Sequence, residues 1–406
     1  MAAALALLAT VAVLSWPRAS PAAERVWVAL EAPYAGQVHE GPLGLVEVRG
    51  RAGLGSRARH DVVIAFDRSG STLLASGIDV DRDGETGLAG AEVERYLRRR
   101  GPRPPELDSQ ALSSDAGDSI RAAQAAAARR LLDLLDLDST RVGLVAFDHQ
   151  AGVIAPLGSS RDVLREGLDH VERSGTTRAG GTDFRQAIQL ALRLLRSPAD
   201  ASSPAHRRCI LLLSDGQPTH PPPDERAQEE ARRAAGEAAA AGVRIFAYAL
   251  GPEAGEHQEI FRYMADRSGG RMVRVAEPGE IAVLLSQIDL SGIADVVVEN
   301  GTLGEPGRAV RVFRDGSFDA FVRLAPGENR LRVVARAGAG APAIEEVSVV
   351  YAPRPARDAA ERTRVDALLE SLKARTRAIE LRQELERAHA ARRPDTDKQL
   401  DLDLAK

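Results

Sequence analysis

An unbroken apolar run, Val62 through Phe66, passes without a spacer into Asp67, Arg68, Ser69, Gly70 and Ser71, and few folds accommodate that junction. A strand with one wet face alternates. A run that is apolar at every position and partly β-branched suits a strand covered on both faces, as in a parallel sheet flanked by helices. In such sheets ligands sit beyond the carboxyl ends of the strands, where the chain turns toward a helix. Asp67, Ser69 and Ser71 fall in that place. A carboxylate and alternate hydroxyls are hard oxygen donors, the kind that Mg²⁺ accepts while keeping part of its water.

Two further segments repeat the pattern. Residues 207–214 read as a second buried strand, followed directly by Asp215 and Gly216, so the Asp215 carboxylate is expected on the same sheet edge as Asp67. Thr182 lies in the Gly180, Gly181 turn that opens a helical pattern over 184–195, with Ile188, Leu192 and Leu195 on one face. Three loops are thus expected to converge. The plainer alternative is that these serines and aspartates only cap helices, their commonest use; capping requires neither the D-x-S-x-S spacing nor the second and third loops.

The five residues Asp67, Ser69, Ser71, Thr182 and Asp215 resemble the metal-ion-dependent adhesion site of von Willebrand factor A (VWA) domains, and the resemblance covers roughly residues 59–290. It implies a doubly wound, Rossmann-like α/β fold. It also implies a bound Mg²⁺, or Mn²⁺ or Ca²⁺, whose open position accepts an Asp or Glu carboxylate of a protein partner. The rest of the domain reads coarsely as helix from 119 to 135, strands over 141–147 and 152–155, helix 224–241, strand 243–250, helix 256–267, strand 271–275 and a closing helix 281–288. Alternation at this rhythm is that of an α/β sheet.

Residues 79–117 form an insertion at the rim of the metal site and contain the Pro-rich stretch 101–105. Within it Asp79, Asp81 and Asp83 stand at positions one, three and five of an EF-hand-like loop, with Gly84 at the sharp turn. The twelfth position is Gly90, so the usual bidentate Glu is missing, and Glu85 or Glu92 are the substitutes at hand. A second, Ca²⁺-binding loop and a solvated acidic turn both fit.

The flanks are β-type. Strand-like runs at 294–299, 308–314, 317–324, 329–335 and 345–351, broken by Asp315-Gly316 and by Pro326, Gly327, Glu328 and Asn329, suggest a sandwich. Residues 315–329 resemble bacterial Ig-like modules, and the runs 26–32 and 45–50 resemble their opening strands. The expectation is one discontinuous Ig-like β-sandwich, 25–58 plus 292–353, with the VWA domain inserted between its second and third strands. Integrin β subunits are built comparably. Residues 354–406 turn charged and helical, with an incomplete apolar stripe at Val365, Leu368, Leu369, Leu372, Ile379 and Leu385 that suits a packed or solvated helix better than a coiled coil. The last dozen residues read as disordered.

Residues 1–22 form an apolar leader without acidic residues that runs into small residues, as in a signal peptide, and the apolar stretch is shorter than a membrane span of about 20 residues. Export to the periplasm or cell surface follows. The single Cys209 allows no internal disulfide. A formal charge of −4 and the lack of an aromatic-and-basic patch argue against nucleic acid. Catalysis finds little support: there is no H-E-x-x-H, G-x-S-x-G or phosphate loop. Two readings compete with adhesion. One is a VWA subunit serving an AAA-type ATPase in chelation or remodelling, which export would exclude. The other is a metal-dependent hydrolase, with Asp183 the nearest base in sequence.

Overall fold

The computed structural model describes residues 25–55, 57–87, 113–173, 181–196, 206–338 and 340–392. The leader 1–22, most of the rim insertion with Gly90, Glu92 and the Pro-rich stretch, and the last dozen residues lie outside the described residues. The chain opens with β1 (Val26–Ala32), β2 (Val38–Gly41) and β3 (Leu45–Leu54), then enters an α/β region at β4 (Arg59–Asp67). Helix α1 (Ile120–Asp133), β5 (Thr140–Phe147), β6 (Ala151–Ala155), α2 (Arg161–Arg173) and α3 (Phe184–Leu195) follow. Then come β7 (His206–Ser214), α4 (Asp224–Ala240), β8 (Val243–Leu250), α5 (Gly251–Glu256), α6 (Gln258–Ser268), β9 (Arg271–Val275) and α7 (Ile281–Leu284).

These strands form one sheet in the order β6-β5-β4-β7-β8-β9, parallel except for β6. β4 lies between β5 and β7, which explains its composition. Val62, Ile64 and Phe66 pack on one side with Leu131 and Leu132 of α1 and Leu164 and Leu168 of α2. Val63 and Ala65 pack on the other with Ile188 of α3, Ala234 of α4 and Phe261 of α6. Every residue of the run is therefore core, and the period of two is hidden in the sequence because both faces are dry.

Some elements depart from the expectation. Helix α2 was not foreseen, although Leu164, Leu168 and Val171 supply its buried face. The expected helix at 256–267 is α6, with His257 as its N-cap, and the short α5 before it was not foreseen; the closing helix is one short α-turn continued by a 3₁₀ turn, Leu285–Gln287.

The remaining strands are β10 (Asp295–Asn300), β11 (Glu305–Pro306), β12 (Arg308–Val312), β13 (Ser317–Arg323), β14 (Gly327–Arg336) and β15 (Ala343–Pro353), before α8 (Ala359–Arg392). They combine with the first three into two sheets, β1-β3-β13-β12 and β11-β10-β14-β15-β2. β3 pairs with β13 from Leu45↔Arg323 to Arg51↔Ser317. Val26, Val28, Val46 and Val48 share one core with Val298, Phe318, Val322, Leu331 and Val349. Three strands, not two, precede the α/β region: the short β2 joins β15 in parallel through Val38↔Val350.

The two units meet at the end of α1. The backbone N–H of Arg314 donates to the Leu134 carbonyl at 3.0 Å, and the Thr140 hydroxyl donates to the buried Asp315 carboxylate at 2.7 Å. Burial raises the Asp315 carboxyl, against the Thr140 and Ser317 hydrogen bonds. On the outer face of the four-stranded sheet, Arg375 of α8 pairs with Glu47 at 2.7 Å and stands 4.7 Å above the Phe321 ring. The half-buried Val365, Leu368, Leu372 and Ile379 lie on this helix. Among the described residues no helix is long and apolar enough to cross a membrane.

His60, buried in β4, donates from Nε2 to the Leu290 carbonyl at 3.0 Å. Burial lowers its imidazole from 6.5 to about 4. It is neutral in the fold, whereas the unfolded chain takes up a proton below its ordinary value. Stability is thus retained above pH 6.5 and falls as pH drops toward 4. The full loss is on the order of 3 kcal/mol at about 1.4 kcal/mol per pH unit. Denaturant titrations between pH 7 and 4 should show a steeper decline in wild type than in His60→Gln; equal slopes would refute this assignment.

Candidate metal centre

The carboxyl edge of the parallel sheet is where β4, β5 and β7 end side by side, Asp67 opposite Phe147 and Phe66 opposite Leu213. Backbone hydrogen bonds stitch the loops beyond them. Arg68 N–H donates to the Phe147 carbonyl at 2.8 Å, Asp183 N–H to the Asp148 carbonyl at 2.8 Å, and the amides of Thr219 and His220 to the Thr182 carbonyl at 3.0 and 3.1 Å.

Four of the five expected ligands form one hydrogen-bonded chain. Asp67 Oδ1 accepts from Ser69 N–H at 2.8 Å, the Ser69 and Ser71 hydroxyls are 3.1 Å apart, and Ser71 Oγ donates to Asp215 Oδ1 at 3.1 Å. Thr182, also buried, is tied by its backbone to the loop after β7: besides the carbonyl contacts above, its N–H donates to Thr219 Oγ1 at 3.0 Å. Asp183, at its side, is the N-cap of α3 and accepts from the amide and the side chain of Gln186 at 3.0 Å each.

Sequence reasoning missed several residues that shape this edge. Ser214 donates its hydroxyl to Asp67 Oδ2; its only signal was its place before Asp215. Asp148 pairs with Arg68 at 3.1 Å. His149 and His220 face each other edge-on at 6.1 Å. Arg121, the second residue of α1, is fully buried beneath the Asp67 loop.

Burial raises the Asp67 carboxyl, while the Ser214 hydroxyl, the Ser69 amide and hydroxyl and the Arg121 guanidinium pull it down. Burial also lowers Arg121, with Asp67, Asp215 and Asp148 opposing. The donor set of two carboxylates and three hydroxyls is all hard oxygen, which fits Mg²⁺, Mn²⁺ or Ca²⁺ and disfavours soft metals.

At the rim, Asp79, Asp81 and Asp83 bring one carboxylate oxygen each within 4.8 Å of the others. Asp79 accepts from the amides of Arg82 and Gly84 at 2.6 and 3.1 Å, and Asp83 from the amide of Glu85 at 2.8 Å. The Asp83 amide lowers Asp81, but desolvation and the carboxylates of Asp83, Asp115 and Asp118 outweigh it and raise the group.

A family profile of the von Willebrand factor type A domain matches residues 109–217, taking in Thr182 and Asp215 but starting beyond Ser71. No curated protein sequence matches the chain. Among solved structures it is similar to the conserved hypothetical protein BatB of Bacteroides thetaiotaomicron, at 19% identity over 56% of this chain and 96% of that one, TM-score 0.37. An aerotolerance-related membrane protein of Bacteroides fragilis gives 16% identity over 56% and 97%, TM-score 0.36. Proximal thread matrix protein 1 of the mussel byssus, with a zinc-occupied MIDAS motif, gives 14% over 56% and 46%, TM-score 0.35. Over residues 109–217 this chain matches the von Willebrand factor type A domain.

Proposed function

We propose that the chain binds a protein partner through a divalent cation held by Asp67, Ser69, Ser71, Thr182 and Asp215. The continuous run of contacts from Asp67 through Ser69 and Ser71 to Asp215 carries the proposal. A cation held there, Mg²⁺ by preference, would supply an electrophilic position for an Asp or Glu carboxylate of the partner. The chain's own contribution is to hold two carboxylates and three hydroxyls on one sheet edge, so that little reorganisation accompanies binding. Adhesion rather than turnover is favoured by the state of the neighbouring acids. Asp148 is engaged by Arg68 and by the Gln150 amide, and Asp183 by Gln186 and Arg185. Neither is poised as a general base.

The apolar leader supports an exported location for this binding, and the paired sheets support the Ig-like reading of residues 25–58 and 292–353. We assign Ca²⁺ to the turn of Asp79, Asp81 and Asp83. Calorimetric titration should show a Ca²⁺-binding event that Asp81→Asn removes while Mg²⁺ binding persists; an unchanged Ca²⁺ isotherm would return the turn to a solvated loop.

Affinity capture from envelope extracts, in Mg²⁺ and in EDTA, tests the main reading. Partners held through the cation are released by EDTA. A catch indifferent to chelation sinks the proposal, and chelator-sensitive turnover of model substrates would favour a hydrolase instead.

A further inference from the structure

Arg121 is a poor choice of residue on electrostatic grounds. Its side chain is fully buried, and it lies at the second position of α1, after the Ser119 cap, where the helix dipole disfavours a cation. It also sits under a loop assigned to a divalent cation. Its contacts show what offsets these costs. The guanidinium donates to the Arg68 carbonyl at 2.7 Å and to the Ser69 carbonyl at 3.3 Å. It also donates to Thr72 Oγ1 from Nε at 3.1 Å and from Nη2 at 3.0 Å. One helical turn on, Gln124 Nε2 donates to the Asp67 carbonyl at 3.3 Å, and Thr72 Oγ1 itself donates to the Ser69 carbonyl at 2.7 Å. Three successive carbonyls, those of 67, 68 and 69, are thus drawn toward α1. The Ser69 and Ser71 hydroxyls meet each other, and Ser71 reaches Asp215.

We propose that Arg121 is a positioning residue: its planar fork sets the ligand-ready shape of the loop 67–72 before any cation arrives. The inference rests on the metal reading above. Charge and geometry act in opposite directions here, which makes the role testable. If only charge mattered, removing the guanidinium would tighten cation binding. If the fork positions the loop, removal weakens it, by roughly tenfold to a hundredfold as for other groups that orient metal ligands. A lysine keeps the charge but cannot reach two carbonyls and a hydroxyl in one plane.

The test is Mn²⁺ affinity of the full chain, with amide hydrogen exchange of residues 69–72 in EDTA, for wild type, Arg121→Lys, Arg121→Gln, Thr72→Val, Thr72→Ser and Asp215→Ala. Both Arg121 variants should bind Mn²⁺ roughly tenfold to a hundredfold more weakly and exchange faster in the loop. Affinity that is unchanged or tighter in Arg121→Gln overturns the proposal. If the Arg121 variants fail to fold, Thr72→Val decides, since it removes the shared acceptor and leaves the charge: weakened binding restored by Thr72→Ser supports the role, and wild-type affinity refutes it. Wild type without Mn²⁺ affinity, or Asp215→Ala indistinguishable from wild type, overturns the metal site itself and this inference with it.

Discussion

Asp215→Ala is expected to abolish divalent-cation binding and, with it, capture of any partner held through the ion. The site has two carboxylates, Asp67 and Asp215, against three neutral hydroxyls, so the variant removes half of its formal negative charge. A single unit-charge pair at about 4 Å in an effective dielectric of about 20 is worth roughly 4 kcal/mol, about a thousandfold in affinity. The fold should survive. Asp215 lies at the loop after β7, where Ser71 Oγ reaches it at 3.1 Å, whereas Asp67 takes both the Ser69 amide and the Ser214 hydroxyl. Asp67→Ala would therefore confound ligand loss with loop collapse. Titration of Mn²⁺ into the Asp215 variant, beside circular dichroism, checks the point; a dissociation constant within a few-fold of wild type would refute the assignment.

The second large effect concerns the sandwich. Deleting residues 25–58 should unfold residues 292–353, although no peptide bond within them is touched. β13 would lose its partner β3 along the whole register from Arg323 to Ser317, and the shared core would lose Val26, Val28, Val46 and Val48, all of them buried. At about 1.5–3 kcal/mol for each buried valine, the loss alone rivals the ~5–15 kcal/mol by which a domain is stable. Limited proteolysis of the deletion variant should cut within 292–353. Cooperative unfolding of an isolated 292–353 fragment would show that the C-terminal strands need no N-terminal partners.

How much of this was legible in the sequence differs between the two units. The strand of Val62 to Phe66 was plain because burial on both faces removes the need for alternation, and α3 was readable because Ile188, Leu192 and Leu195 repeat at helical spacing after the Gly180, Gly181 turn. β2 was not, since four residues, Val38 to Gly41, offer too little pattern and the strand is held by pairing with β15 more than three hundred positions away. Helix α2 was passed over although its apolar spacing is regular. β3 was read only as far as Gly50, whereas the strand runs on to Leu54 with both Gly50 and Gly53 inside it. In the fold they are sites of close approach: a Cβ at Gly50 would stand 2.4 Å from the Ala29 carbonyl, and one at Gly53 2.8 Å from the Trp27 ring.

The sequence by itself determined the donor chemistry, because D-x-S-x-S after a buried strand is a local pattern fixed by the strand's direction and the turn that follows it. It also determined that Asp215 leaves a strand of the same kind. Only the tertiary structure decided that β4 lies between β5 and β7, which brings those turns together, and that the Arg121 guanidinium reaches the Arg68 and Ser69 carbonyls. It also set which strands pair across the α/β region, β3 with β13 and β2 with β15. These are contacts between residues far apart in the chain, chosen by packing, and no short-range pattern encodes which of several apolar faces will meet.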